Sequence, residues 1–95
     1  MFTAIVLINC AINRIPEVAE ELADLDGVSE VYSVTGTADL IAIVRVREFD
    51  RIAEVIAGGI SKVDGVTNTD TNIAFRAYSR HDLEDAFSIG FADPE

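Results

Sequence analysis

The polar residues of this sequence that suit ligand binding are concentrated in one short segment between two apolar runs. The segment VTGTADL, residues 34–40, contains three polar side chains and a glycine within five residues: Thr35, Gly36, Thr37, Ala38 and Asp39. Glycine can adopt a positive φ that leaves backbone N–H groups exposed, and exposed N–H groups bind carboxylates. Asp39 can accept hydrogen bonds from an ammonium group. Together these groups suit the α-carboxylate and α-amine of an amino acid.

The same spacing also fits a simple hairpin loop in which Asp39 only fixes its own turn. A Gly-x-x-Asp sequence in a turn is weakly specific for binding. The residues of the loop alone therefore leave both interpretations open.

A second polar group is the segment TNTDTN, residues 67–72. Its threonines share one face of a predicted strand: Thr67, Thr69 and Thr71. Threonine rows often reflect strand propensity and cross-strand hydroxyl pairing. In an otherwise apolar sheet, the row also fits the wall of a polar pocket or a subunit junction.

Catalytic and metal-binding chemistry have little support. His81 is the only histidine and lies in the C-terminal tail, and Cys10 is the only cysteine. The chain therefore offers no Cys/His set for zinc, and its folded body has no histidine for a Cys-His or Ser-His-Asp arrangement. We expect no cofactor, no metal and no catalytic residue. A small ferredoxin-like enzyme of the dimeric α+β-barrel monooxygenase type is the alternative.

Length, composition and charge narrow the possibilities further. The chain has 95 residues, is 49% apolar and carries a net charge of −10, which predicts one globular domain. A negatively charged chain is repelled by DNA phosphates, so we expect no direct contact with nucleic acid. No apolar run reaches the roughly 18 residues of a membrane span. A lone cysteine cannot form an internal disulfide, which favours a cytoplasmic protein.

Hydrophobic periodicity predicts the order β-α-β-β-α-β. Strands are expected over residues 2–12, 28–35, 39–47 and 66–78, and helices over residues 15–27 and 49–63. The tripeptide Asp-Gly-Val follows each helix, at Asp26 and again at Asp64. Two such units predict an α+β, ferredoxin-like fold with a four-stranded antiparallel sheet and both helices on one face. Gly58 and Gly59 weaken the second helix and indicate close packing or a late kink.

The first and third strands are apolar on both faces. Ile5 and Leu7 occupy one face of the first strand, and Ile41 and Ile43 one face of the third, each opposite a second apolar set. An antiparallel sheet with one wet face should alternate apolar and polar residues. We therefore expect the bare face to pack against another subunit, with a monomer that exposes an apolar sheet as the alternative.

The loop and the last strand together resemble the ligand-binding (RAM) domain of the Lrp/AsnC, or feast/famine, transcriptional regulators. The matching positions are Val34, Thr35, Gly36, Asp39 and Leu40, followed by Gly65, Val66, Thr69, Thr71 and Ile73. The resemblance runs over residues 2–78. It implies a RAM-like domain over residues 1–79 and leaves residues 80–95 as an acidic C-terminal tail.

The resemblance also implies a function. It predicts a non-enzymatic regulatory module in which N–H groups around Gly36 hold the carboxylate of a small amino acid and Asp39 its ammonium. Thr69 and Thr71 would hydrogen-bond an adjoining strand or a neighbouring subunit. Paired domains would bury their sheets face to face, and dimers would associate further, up to a tetramer of dimers.

The family's DNA-binding domain has no counterpart before the first strand. The sequence therefore predicts a stand-alone module. A module without its own ligand that binds full-length Lrp-type regulators is the alternative.

Overall fold

The computed structural model describes residues 1–80. The strands are β1 (Phe2–Cys10), β2 (Val28–Ser33), β3 (Leu40–Val46) and β4 (Val66–Ala74). The helices are α1 (Ile15–Ala23) and α2 (Asp50–Gly58), with short 3-10 turns at Ile12–Arg14 and Ile60–Lys62. His81 and the predicted tail after Arg80 lie outside the described residues. No helix of residues 1–80 is long and apolar enough to cross a membrane.

The four strands form one sheet in the order β2-β3-β1-β4, and every neighbouring pair is antiparallel. Ala4, Val6 and Ile8 of β1 are fully buried in one core with residues of both helices, including Leu22 of α1 and Ile52 of α2. Both helices therefore cover the same face of the sheet. The predicted ferredoxin-like fold is confirmed.

The second helix differs from its prediction. The apolar periodicity over 49–63 predicts one helix, but α2 ends at Gly58 and a 3-10 turn follows. A Cβ atom on Gly59 would lie 2.8 Å from the carbonyl oxygen of Val55 and 3.3 Å from Cδ1 of Leu25. Gly59 thus allows a close approach between the end of α2 and Leu25, which follows α1, whereas a Cβ atom on Gly58 would meet nothing within 4 Å.

The last strand is also shorter than the predicted span of 66–78. β4 ends at Ala74, which pairs with Thr3 near the beginning of β1. Beyond that point β1 offers almost no further backbone to pair with, and the side chain of Phe75 is left 98% exposed. The extent of the neighbouring strand therefore sets the end of β4.

The repeated Asp-Gly-Val tripeptides form two equivalent turns. Gly27 and Gly65 have φ angles of +96° and +104°. The carbonyl of Gly27 accepts the N–H of Arg45 at 3.0 Å, and that of Gly65 accepts the N–H of Ala11 at 2.8 Å. Each turn is thereby joined to the end of a central strand, β3 in the first case and β1 in the second.

An arginine contacts the aspartate of each turn. Nη2 of Arg14 donates to the carbonyl oxygen of Asp64 at 3.2 Å, and Nη2 of Arg51 donates to Oδ2 of Asp26 at 3.4 Å. These pairs are partly solvent-exposed, so each contributes little stability by itself. Their recurrence shows that the two halves of the chain use the same local construction.

Candidate functional site

The candidate loop connects β2 to β3 and is closed by two backbone hydrogen bonds. The N–H of Val34 donates to the carbonyl of Asp39 at 3.1 Å, which joins the two ends of the loop. The N–H of Asp39 donates to the carbonyl of Ile8 at 2.9 Å, which joins the loop to β1. The central strand β1 is therefore the support on which the loop rests.

Two further hydrogen bonds to β1 involve side chains. Nδ2 of Asn9 donates to the carbonyl oxygen of Thr37 at 2.7 Å, and the N–H of Cys10 donates to Oδ2 of Asp39 at 3.0 Å. The second bond lies where the register between β1 and β4 shifts, between Asn9 and Cys10. Asp39 thus does more than fix its own turn, because its carboxylate binds a strand far away in sequence.

The rest of the loop has free backbone donors. Thr35, Gly36 and Thr37 are exposed, whereas Ala38 is only 7% exposed. Gly36 has a φ of +106°, and a Cβ atom there would meet nothing within 4 Å. Among residues 1–80, no hydrogen bond uses the N–H groups of residues 35–38 or the Oδ1 atom of Asp39.

The thiol next to the loop is not a reactive group. Burial raises the pKa of Cys10, and the nearby charge of Asp39 raises it further. The thiol is therefore protonated at neutral pH, and the thiolate that would act as a nucleophile or metal ligand is disfavoured. In residues 1–80, no group of three His, Cys, Asp or Glu side chains is arranged to hold a metal.

The threonines of β4 lie apart from the loop. Thr69 pairs with Ile8 and Thr71 with Val6, so both threonines share the helix-covered face of the sheet. Because β1 lies between β3 and β4, they are two strand spacings, or roughly 10 Å, from the strand that continues the loop. Within one chain the structure does not bring these residues together with Asp39.

The other face of the sheet has an apolar centre. Ile5 pairs with Ile43 and Leu7 pairs with Ile41 across the two central strands. None of these four side chains is fully buried, and Ile5 is 36% exposed. No helix among the described residues covers this surface, which we call the open face.

Polar residues of the edge strands flank that centre. Asp70 and Asn72 of β4 lie opposite Leu7 and Ile5, and Tyr32 and Glu30 of β2 lie opposite Ile41 and Ile43. Glu30 accepts hydrogen bonds from the Tyr32 hydroxyl at 2.9 Å and from Nη1 of Arg45 at 3.3 Å. The bond to Glu30 raises the pKa of Tyr32. An apolar centre with a polar rim is the usual anatomy of a protein interface.

Asn9 is a residue of this site that the sequence analysis did not identify. It follows an apolar run in β1, AIVLI, and a polar side chain in such a strand needs a hydrogen-bond partner. That isolated asparagine was the available signal. Its partner, 28 residues away along the chain, becomes visible only with the register of β1 and β3.

Comparison with known proteins identifies the family. The family described as Lrp/AsnC ligand binding domain matches residues 3–83. An HTH-type transcriptional regulator of Pyrococcus furiosus is 30% identical over 70 residues, which cover 74% of this chain and 47% of the relative. The regulator LysM of Saccharolobus solfataricus is 33% identical over 63 residues, 66% of this chain and 44% of that protein. The chain thus spans about half the length of the curated relatives it matches.

Solved structures agree with this match. TTHA0845 of Thermus thermophilus is 46% identical with a TM-score of 0.79, over 84% of this chain and 100% of that one. PHS023 of Pyrococcus horikoshii is 32% identical with a TM-score of 0.74, over 85% and 98%. AsnC of E. coli is 25% identical with a TM-score of 0.75, over 80% and 52%. The chain therefore belongs to the Lrp/AsnC family, as a ligand-binding domain of that family.

Proposed function

We propose that this protein is a non-enzymatic regulatory module that binds a small amino acid at the loop 35–39 and acts as a homo-oligomer. The observation that carries the proposal is the set of unused N–H groups of residues 35–38 around the exposed Gly36. Successive backbone N–H groups in a turn form a concave site for an anion. The α-carboxylate of an amino acid is the anion that we assign to it.

Asp39 supplies the opposite charge. Its Oδ2 atom is held by the N–H of Cys10, which fixes the carboxylate, while Oδ1 keeps its capacity to accept. A fixed carboxylate beside a row of N–H groups suits a zwitterion, because the ammonium can donate a charge-assisted hydrogen bond to Oδ1. Asp39 therefore both anchors the loop and binds the ligand.

The open face is the surface through which two copies would pair. Its centre of Ile5, Leu7, Ile41 and Ile43 is apolar, and burying such side chains against a second copy stabilises a dimer by the hydrophobic effect. Dimers of this kind could associate further, as a tetramer of dimers. Thr69 and Thr71 are far from the loop of their own chain, so any contact they make with ligand groups would come through a neighbouring subunit.

A thermal-shift screen of the twenty standard amino acids tests the proposed site. A ligand at a hundredfold excess over its Kd stabilises the folded state by about 2.7 kcal/mol. In a domain of this size, that raises the melting temperature by about 10 °C or more. A melting temperature that none of the twenty amino acids changes would contradict the proposal.

Two glycines provide a matched pair of variants for that screen. A Cβ atom meets nothing within 4 Å at either Gly36 or Gly58, but only Gly36 has a positive φ. Gly36→Ala should therefore change the loop conformation and weaken binding at least tenfold, because alanine rarely adopts that conformation. Gly58→Ala should bind like the wild type, and equal binding by the two variants would exclude the loop as the site.

A further inference from the structure

A cavity of about 410 Å³ lies where the end of β3, the turn before β2 and the beginning of α2 meet. Three of the seven basic residues of the chain line it, Arg45, Arg47 and Arg51. Two carboxylates, those of Asp26 and Glu48, line it as well. In the whole chain, acidic residues outnumber basic ones by seventeen to seven. The cavity is therefore a local excess of positive charge in an acidic protein.

The fold itself forms the walls of this cavity. The N–H of Arg45 donates to the carbonyl of Gly27 at 3.0 Å, which joins the end of β3 to the turn before β2. A Cβ atom on Gly27 would lie 2.6 Å from Cγ2 of Val55, so the turn packs closely on α2. Val46, at the end of β3, is 7% exposed and belongs to the core. The main chain around the cavity is thus fixed by packing that does not depend on a ligand.

Two of the arginines are oriented by carboxylates that do not line the cavity. Arg45 pairs with Glu30 at 3.3 Å, and Arg51 pairs with Glu54 at 3.0 Å. A guanidinium group has more N–H donors than one carboxylate uses. Among residues 1–80, no hydrogen bond uses Nη2 of Arg45 or Nη1 of Arg51. Both groups are held in place and still have donors for a ligand.

The third arginine has no partner at all in the part of the chain that the structure describes. Arg47 is exposed and forms neither an ion pair nor a hydrogen bond there. Guanidinium groups around one cavity repel one another, and an anion that binds between them relieves this repulsion. Asp26 relieves it only weakly, because its side chain is 97% exposed and lies 3.4 Å from Arg51.

We propose that this cavity binds a phosphate monoester on a hydroxylated carbon frame, the chemistry that sugar phosphates and nucleotides share. Guanidinium groups match phosphate oxygens in bidentate geometry. Asp26 and Glu48 only accept hydrogen bonds, so they suit the hydroxyl groups of the same ligand. The volume of about 410 Å³ is within the range of small-molecule sites, roughly 300–1,000 Å³.

The phosphate site is separate from the proposed amino-acid site and goes beyond that function. Leu40, which follows the loop, and Val46, in the cavity, lie at opposite ends of β3, roughly 20 Å apart. A ligand in the cavity therefore touches none of the residues 35–39. The phosphate site stands or fails independently of whether an amino acid binds at the loop.

The test compares Arg47→Ala with Lys62→Ala by titration calorimetry. Both substitutions remove one exposed positive charge that has no partner among residues 1–80, but only Arg47 lines the cavity. The probes are ribose 5-phosphate, AMP and inorganic phosphate. Arg47→Ala should bind ribose 5-phosphate at least about tenfold more weakly than the wild type does, because charge-assisted bonds are lost. Lys62→Ala should bind like the wild type.

The three probes also distinguish the sources of the phosphate group. Ribose 5-phosphate should bind more tightly than inorganic phosphate, because only the sugar offers hydroxyl groups to Asp26 and Glu48. Tighter binding of AMP than of ribose 5-phosphate would assign the site to nucleotides, and equal binding would assign it to sugar phosphates; either result supports the proposal.

Three results would overturn it. They are a wild-type protein that binds none of the probes, equal weakening by Arg47→Ala and Lys62→Ala, and inorganic phosphate that binds as tightly as ribose 5-phosphate. Circular dichroism checks that each variant is folded. Should Arg47→Ala not fold, Arg47→Gln keeps more of the side chain without its charge and permits the same comparison.

Discussion

Replacement of Asp39 separates the two roles that its carboxylate combines. Oδ2 accepts the N–H of Cys10 at 3.0 Å, and we propose that Oδ1 accepts from the ammonium of the ligand. Asp39→Ala removes both acceptors. Asp39→Asn keeps one acceptor for Cys10 and removes the charge.

The effect on stability follows from the surroundings of the Cys10 amide. Cys10 is 6% exposed, so its N–H cannot easily turn to water when its acceptor is lost. Leaving a buried donor unpaired costs about 1–3 kcal/mol, which lowers the melting temperature by about 4–8 °C per kcal/mol in a domain of this size. In Asp39→Asn a neutral acceptor replaces a charged one, and the loss should be about 1 kcal/mol or less.

The effect of Asp39→Asn on binding should be larger than its effect on stability. If the side-chain carbonyl oxygen of this variant stays on the N–H of Cys10, the side-chain NH₂ group takes the place of Oδ1. That group is a donor and cannot accept from an ammonium. Losing the charge-assisted bond should weaken binding by about 1.5–3 kcal/mol, or about ten- to a hundredfold.

Thermal melting and titration calorimetry on the two variants test these expectations separately. An Asp39→Ala protein that melts like the wild type would refute the structural role of the bond to Cys10. A well-folded Asp39→Asn protein with unchanged affinity would refute the ligand role. In that case the loop would be a turn that is tied to β1 and nothing more.

Other predictions concern the open face and the buried thiol. Ile43→Asp should dissociate the proposed oligomer while the helical circular dichroism is retained, because Ile43 lies on the open face and an unpaired carboxylate there opposes burial. An unchanged mass by light scattering would contradict this. Val44→Asp should instead unfold the protein, because Val44 is fully buried beneath the helices; a native spectrum for this variant would refute that assignment. Cys10 should react more slowly with iodoacetamide in the native protein than in urea at pH 8.5, because burial raises the pKa of its thiol. Equal reaction rates in the two conditions would contradict the burial of the thiol.

The sequence predicts the order of the elements well, but it predicts their ends less well. Ile60 and Val63 continue the apolar stripe of the second helix, and both are buried as that stripe requires. Yet they follow the end of α2, in and just after a 3-10 turn. Periodicity reports which side chains face the core, and a 3-10 turn can keep that facing after the α-helical hydrogen bonds end. The α-helix ends next to Gly59, where Leu25 and the carbonyl oxygen of Val55 leave no room for a Cβ atom. Hydrophobic periodicity does not record such a contact.

For the site, the sequence indicates the loop but not its support. Gly36 and Asp39 are recognisable because glycine and aspartate are turn residues with their own local chemistry. The bonds from Asn9 and Cys10 depend on which residues of β1 lie beside the loop, and only the register of β1 and β3 determines that. The alternation of Thr69 and Thr71 is predictable from the period of a strand, whereas their distance from the loop depends on strand order.

The internal repeat explains why amino-acid binding would be located at this loop and not at another turn. In the turns at Gly27 and Gly65, the glycine carbonyl accepts a backbone N–H and the aspartate contacts an arginine. Substitution in either turn would disturb the contact between a helix and the sheet. The loop around Gly36 joins the two halves and has no counterpart within either half. Thr37 and Asp39 join its C-terminal part to β1, but its N–H groups at 35–38 have no structural task among residues 1–80. It can therefore bind a ligand without giving up a bond that the fold needs.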